Sequence, residues 1–139
     1  MSKKPVSAIV AVGLLAALAT CSLDQGTQDT VSGILVHGRV DTEAGAAVPG
    51  VLIKISFRSM AACGAPFLDA PNPPTTDSAG GYVLVIGQTG GPQTVCVKVV
   101  ATPPANLPLA PESALVGNVQ FTERMDADSV RIDVVLPPK

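Results

Sequence analysis

The chain has 139 residues, a net charge of −2 and 47% hydrophobic residues, which suits one domain with a real core and supplies no basic excess to neutralise phosphates, so nucleic acid is excluded as a partner. Aromatic residues make up only 3%, with no Trp, so the core must be built from Val, Ile, Leu and Ala. Thirteen Gly and thirteen Pro, many clustered between apolar runs, point to short strands and many turns.

Residues 1–4 carry two lysines and no acid, and residues 6–18 are almost wholly apolar. That run is too short for a membrane span, which needs about 20 residues, and has the length of a signal-peptide h-region behind a basic n-region. SLDQGTQDTVS (22–32) is polar and reads as a tether reaching at most about 40 Å. Strand signals then follow one another over residues 33–139. In ILVHGRV (34–40), Ile34, Val36 and Val40 share one face, with Leu35, His37 and Arg39 on the other. After a turn-rich link, VLIKISF (51–57) turns Val51, Ile53, Ile55 and Phe57 inward and Leu52, Lys54 and Ser56 outward.

Residues 58–74 form a long loop rich in Ala and Pro, which contains Cys63. Thr75 and Thr76 are read as a short strand, and DSAGG (77–81) as a tight turn. If Thr75 and Thr76 do form a strand, the Phe67 loop and the 103–111 loop lie at opposite ends of the sandwich; otherwise they share an end. YVLVIG (82–87) is apolar on both faces and is expected to be a central strand. GGP (90–92) is another turn. TVCVKVVA (94–101) sets Val95, Val97 and Val99 against Cys96 and Lys98. ALVGNVQF (114–121) and SVRIDVVL (129–136) complete the set, the second alternating Val130, Ile132, Val134 and Leu136 against Arg131, Asp133 and Val135. No segment after the signal shows helical periodicity. Six or seven short strands predict an all-β, antiparallel β-sandwich.

The apolar run closes with Leu18, Ala19, Thr20 and Cys21, which resembles the lipobox of bacterial lipoproteins. Thr20 stands where Gly, Ala or Ser is usual. The resemblance implies that residues 1–20 are removed, that Cys21 is lipidated, and that the chain is anchored to the bacterial cell envelope, either periplasmic or surface-exposed. The alternative is an ordinary secretory signal with Cys21 incidental. Loss of Lys3 and Lys4 leaves seven basic against eleven acidic residues, a net charge of −4, which favours a domain that stands off an anionic bilayer. Export places Cys63 and Cys96 in an oxidising compartment, where a pair is usually a disulfide. Two cysteines and one histidine, His37, fall short of a closed zinc site, and no Cys-x-x-Cys supports a redox role.

Gly38-Arg39-Val40-Asp41, Gly45 and Val48-Pro49-Gly50-Val51 resemble the opening of carboxypeptidase regulatory-like domains. Thr76-Asp77-Ser78-Ala79-Gly80-Gly81-Tyr82 resembles their TDxxGxY hairpin. The resemblance covers residues 34–101 and implies a transthyretin-like or CnaB-like sandwich, with Gly38 and Gly45 at backbone bends and Asp77 capping the turn before Tyr82. These motifs are mostly turn chemistry and specify fold rather than function.

Some CnaB-like domains carry a Lys–Asn or Lys–Asp isopeptide bond. Here alternation puts Lys54 and Lys98 outward, and puts Asn118 outward together with Val116 and Gln120. Related hydrolases and iron dioxygenases need several histidines or tyrosines, and this chain has one of each. A serine triad would have to use His37, with no nucleophile elbow. Asp126 and Asp128, with Glu123 nearby, read as acids in a solvated turn rather than a calcium loop. No catalytic residue, metal or cofactor is therefore expected. Of the aromatics, Phe57 and Phe121 read as core and Tyr82 as core or corner. Phe67, beside Leu68 in the 58–74 loop, is the best candidate contact surface. With nothing after its last strand, the chain is expected to work through its own surface. It reads as a non-enzymatic, lipid-anchored envelope module that binds an envelope protein or gives structural support. The alternative is a carbohydrate or small-ligand domain using the Phe67 loop.

Overall fold

The computed structural model describes residues 30–59, 63–64, 66–125 and 127–139. The expected signal peptide, Cys21, most of the tether, and Asp126 lie outside the described residues. The described residues form a β-sandwich of eight strands and no helix. These are β1 (Val31–Thr42), β2 (Leu52–Ser59), β3 (Leu68–Asp69), β4 (Gly81–Thr89), β5 (Gln93–Thr102), β6 (Glu112–Phe121), β7 (Ser129–Arg131) and β8 (Val134–Leu136). β1 starts two residues before the expected edge of the domain. Ser32 there is fully buried, and its Oγ donates to the Gly91 carbonyl at 2.9 Å.

One sheet has the order β3-β2-β5-β6 and is antiparallel throughout. The other is built around β1, with β4 on one side and β7 and β8 on the other. β4 is antiparallel to β1, but β7 and β8 run parallel to it, so this sheet is mixed rather than purely antiparallel. The cause is the path after β6. Thr122 forms reciprocal 2.9 Å bonds with Gly33, and the Asp128 carbonyl accepts from Leu35 at 3.0 Å. The link crosses between sheets and delivers the last strands alongside β1 in its own direction.

The core is aliphatic, as composition demands, with Val36, Val51, Ile53, Val97, Val99 and Leu136 among its most buried members. One aromatic pair joins it, Phe57 and Phe121, with ring centroids 5.2 Å apart and planes tilted by 57°. The inward residues of 34–40, 51–57 and 94–101 are buried as alternation predicts.

Five further expectations change in the strands and turns. First, 82–87 is not central: β4 is an edge strand, and its outward Val83 and Val85 are 56% and 44% exposed. Second, no strand forms at Thr75 and Thr76: Thr75 makes an isolated bridge to Leu52, and Thr76 N–H donates to the Val51 carbonyl at 3.0 Å. Their neighbours continue from β3 along the edge of β2 away from β5, with Ala70 N–H donating to the Ile55 carbonyl and Ile53 N–H to the Pro74 carbonyl. Thr76 earns its burial through its side chain, whose Oγ1 accepts from Val51 N–H at 2.9 Å and donates to the Val48 carbonyl at 2.7 Å. The loops after β2 and β5 still lie at opposite ends of the sheet, because Ser59 pairs with Val95 and Leu52 with Thr102.

Third, 129–136 divides in two: the Asp133 carboxylate accepts the Arg39 N–H at 2.8 Å and substitutes for a ladder bond where β7 ends and β8 begins. Fourth, Val116 packs against the core instead of facing out with Asn118. The β5–β6 register shifts between Val95 and Val97, leaving Gly117 and Asn118 opposite Cys96. One extra residue in β6 inverts the alternation, and Asn118 takes a left-handed φ of 55°. Fifth, Gly38 sits at a close approach, not a bend. A Cβ there would lie 1.8 Å from the Ile132 carbonyl oxygen and 2.9 Å from the Tyr82 hydroxyl. Gly45 does occupy a turn, at φ 84°.

Candidate functional site

Outward residues of β2 and β5 bring the sequence-nominated site together. Cys63 and Cys96 form a disulfide, as their number and the inferred export predict. Cys96 is fully buried although its side of β5 faces away from the core, so the segment carrying Cys63 covers that part of the sheet. Gly117 on the neighbouring strand leaves room for the bond: a Cβ there would stand 3.3 Å from Cys63 Sγ. The loop is held at three further points. The Arg58 guanidinium donates to the Gly64 carbonyl. Phe67 is half-buried, with its ring centroid 5.9 Å from Lys98 Nζ, a cation–π approach. Leu68 and Asp69 then pair with Phe57 and Ser56, forming β3 inside what reads as an irregular loop.

This arrangement accounts for Ser56, which alternation places outward. It is buried between Asp69 of β3 and Lys98 of β5 in the pairing. Asp69 also meets Lys54, Oδ2 to Nζ at 3.1 Å, with both side chains more than half exposed. Such a pair contributes at most about 1 kcal/mol. Both strand lysines therefore point away from the core, toward a carboxylate and an aromatic ring. Leu68 is 62% exposed and is the most open large apolar side chain of the loop. The two nominated contact residues thus divide: Phe67 helps to fasten the loop, and Leu68 presents itself to solvent.

Sequence reading missed the other exposed apolar surface. On the outer side of the β1 sheet, Val83 pairs with His37 and Val85 with Leu35. His37 and Leu35 are half-buried, and no loop comparable to the Cys63 segment crosses them among the described residues. Charged pairs border this patch: Arg39 Nε with Asp41 at 2.6 Å and Arg131 Nε with Asp133 at 3.0 Å. The alternation of 82–87 contains the signal, since apolar residues on both faces at a sheet edge must leave one face open.

Tyr82 lies inside the same strand as a structural pin. Its hydroxyl donates to the Ile132 carbonyl at 2.5 Å. Burial, and secondarily the Asp133 charge, push its ionisation well above the usual tyrosine range. The preceding turn is capped as its sequence predicts: Asp77 Oδ1 accepts from the N–H groups of Ala79 and Gly81, each at 2.9 Å. Asp128, one of the acids weighed for calcium, accepts from Thr122 Oγ1 at 2.6 Å. Among the described residues no group of three or more His, Cys, Asp or Glu converges on a common point. Neither a scan against protein-family models nor a search of curated proteins found a match to this chain.

Proposed function

We propose that this chain is a non-enzymatic, lipid-anchored module of the bacterial cell envelope, built on a carboxypeptidase regulatory-like sandwich, that engages a protein partner through its own surface. The observation that carries the proposal is the Cys63–Cys96 disulfide in a chain whose apolar N-terminal run ends at Cys21. A disulfide of this kind belongs to an oxidising compartment, and the N-terminal run supplies a route there. A partner-binding role draws support from the apolar side chains left open, Leu68 on the clamped loop and Val83 and Val85 on the bare sheet. Phe67 supports a glycan platform less well, because Lys98 stands over its ring.

The test has two steps in one strain. Cells fed an alkyne fatty acid should label the wild-type chain and leave Cys21→Ser unlabelled and released from membranes. A photo-crosslinking amino acid at Leu68 should then yield one dominant protein adduct in intact cells. Labelling that persists in Cys21→Ser overturns the anchor. Crosslinks to glycan alone overturn the protein-binding role and leave the anchor intact.

A further inference from the structure

The bulge in β6 does more than shift register. It opens the side of the sandwich between β6 and β7, where the two sheets meet without a covering strand. The resulting cleft, broadly open to solvent, holds about 390 Å³. Its floor is aliphatic, formed by Ile34, Val116, Val119 and Val130. Its rim is polar: Asn118, Gln120, Thr122, Asp128 and Ser129. An apolar floor ringed by a few hydrogen-bonding groups is the usual anatomy of a small-molecule site.

The position of the rim follows from the fold. Asn118 is held in the left-handed region, with a φ of 55°, a conformation that L side chains other than Asn and Asp rarely adopt. Bulges of this kind re-aim side chains beside binding sites. The opposite wall is fixed by the reciprocal Gly33–Thr122 bonds and by Leu35 N–H on the Asp128 carbonyl. Gly117 forms part of the lining while its other side abuts the Cys63–Cys96 bond. The disulfide therefore backs the cavity wall from the opposite face of the strand.

Charge selects the ligand class. The cavity contains one carboxylate, Asp128, and no basic residue among its lining. Asp128 has one neutral partner, the Thr122 hydroxyl, and forms no ion pair among the described residues. An anion would meet the Asp128 charge with no basic side chain in the lining to offset it. The aliphatic floor offers no aromatic platform for a sugar. We infer that the cleft between β6 and β7 binds a small cationic amphiphile, an amine or amidine with a compact apolar body, whose N–H groups meet Asp128 and the neighbouring amide and hydroxyl oxygens.

The test is photolabelling of the full chain in membranes with para-azidobenzylamine, with para-azidobenzoate as the oppositely charged control of similar shape. Expected are saturable adducts within 116–120 and 128–130, displaced by unlabelled benzylamine and several-fold weaker with the benzoate. Asp128→Asn preserves the oxygen that accepts from Thr122 and should weaken the half-saturation concentration about ten-fold, the worth of one charge-assisted bond. Val130→Phe fills the cleft and should abolish labelling in a chain that still melts cooperatively. Labelling that does not saturate, spreads over the surface, or is equal for both probes overturns the inference. So does labelling unchanged in Asp128→Asn.

Discussion

The two sheets of this sandwich differ in how they treat their outer faces. The β3-β2-β5-β6 sheet carries a strap: a disulfide, an arginine–carbonyl bond, a lysine–phenylalanine contact and a two-residue strand bury Cys96 and Ser56 from outside. Leu52 at its far end and Leu115 on the outer edge strand β6 stay open. The sheet around β1 has no strap among its described residues, and Val83, Val85 and Val135 stand in solvent. Both sheets share one core, so the difference concerns the second layer. In a chain with four aromatic residues, a covalent link replaces the bulky side chains that would otherwise hold a covering loop in place.

The comparison breaks most completely at Gly38. Gly38→Ala forces a Cβ into the Ile132 carbonyl and should cost more than about 4 kcal/mol, or prevent folding, by separating β1 from the β7–β8 turn. Urea unfolding monitored by circular dichroism would read this loss. The strap comes next. Replacing Cys63 with Ser and Cys96 with Ala should lower stability by about 3–4 kcal/mol, from the loop entropy returned to the unfolded chain. Hydrogen exchange should then rise at Ser56 and Lys98 and stay unchanged at Val83 and Val85; equal loosening of both sheets would contradict the division drawn between them.

Tyr82→Phe removes one buried hydrogen bond and should cost about 1–2 kcal/mol, with the effect confined to the β1 sheet. The same residue sets an alkaline limit. Its ionisation is raised in the folded state, so its contribution is fully present below the unfolded tyrosine value of about 10 and is lost progressively as pH rises above it. A stability titration from neutral pH upward should show that decline in the wild type and a shallower one in Tyr82→Phe. The smallest effect belongs to the bare face. Val83→Ser and Val85→Ser should each change stability by no more than about 1 kcal/mol, because each side chain keeps about half of its surface in water in the folded chain. A loss well above that would mean the face is covered in solution.

Much of the fold was legible because strand alternation is a local property. The inward faces of β1, β2 and β5 could be read residue by residue, and the Asp77 turn announces itself through its aspartate and glycines. The disulfide was legible only through the lipobox resemblance, which sets Cys21 aside and leaves Cys63 and Cys96 to pair. What escaped depends on partners far along the chain. Apolar residues on both sides of 82–87 describe a strand that could be central, and only its pairing with β1 alone makes it an edge. The parallel approach of β7 and β8 rests on the crossing at Thr122 and Asp128. The bulge at Gly117 and Asn118 hides because the apolar pattern reads smoothly through it, and the cleft beside it was missed for the same reason. The nominated contact pair was half legible: the loop could be seen, but not that Phe67 would turn toward Lys98 and leave Leu68 outside.

The central place of β1 also has a temporal consequence. As the first strand of the described residues, it takes its partners from β4, β7 and β8, the last of which ends at Leu136. A ribosome must therefore release the chain through Leu136 before the mixed sheet can close. Pairings of such long sequence separation are slow to find, since the loop entropy is spent before any contact repays it. The sheet stays open until β8 is made, and a chaperone has that whole interval in which to engage its strands.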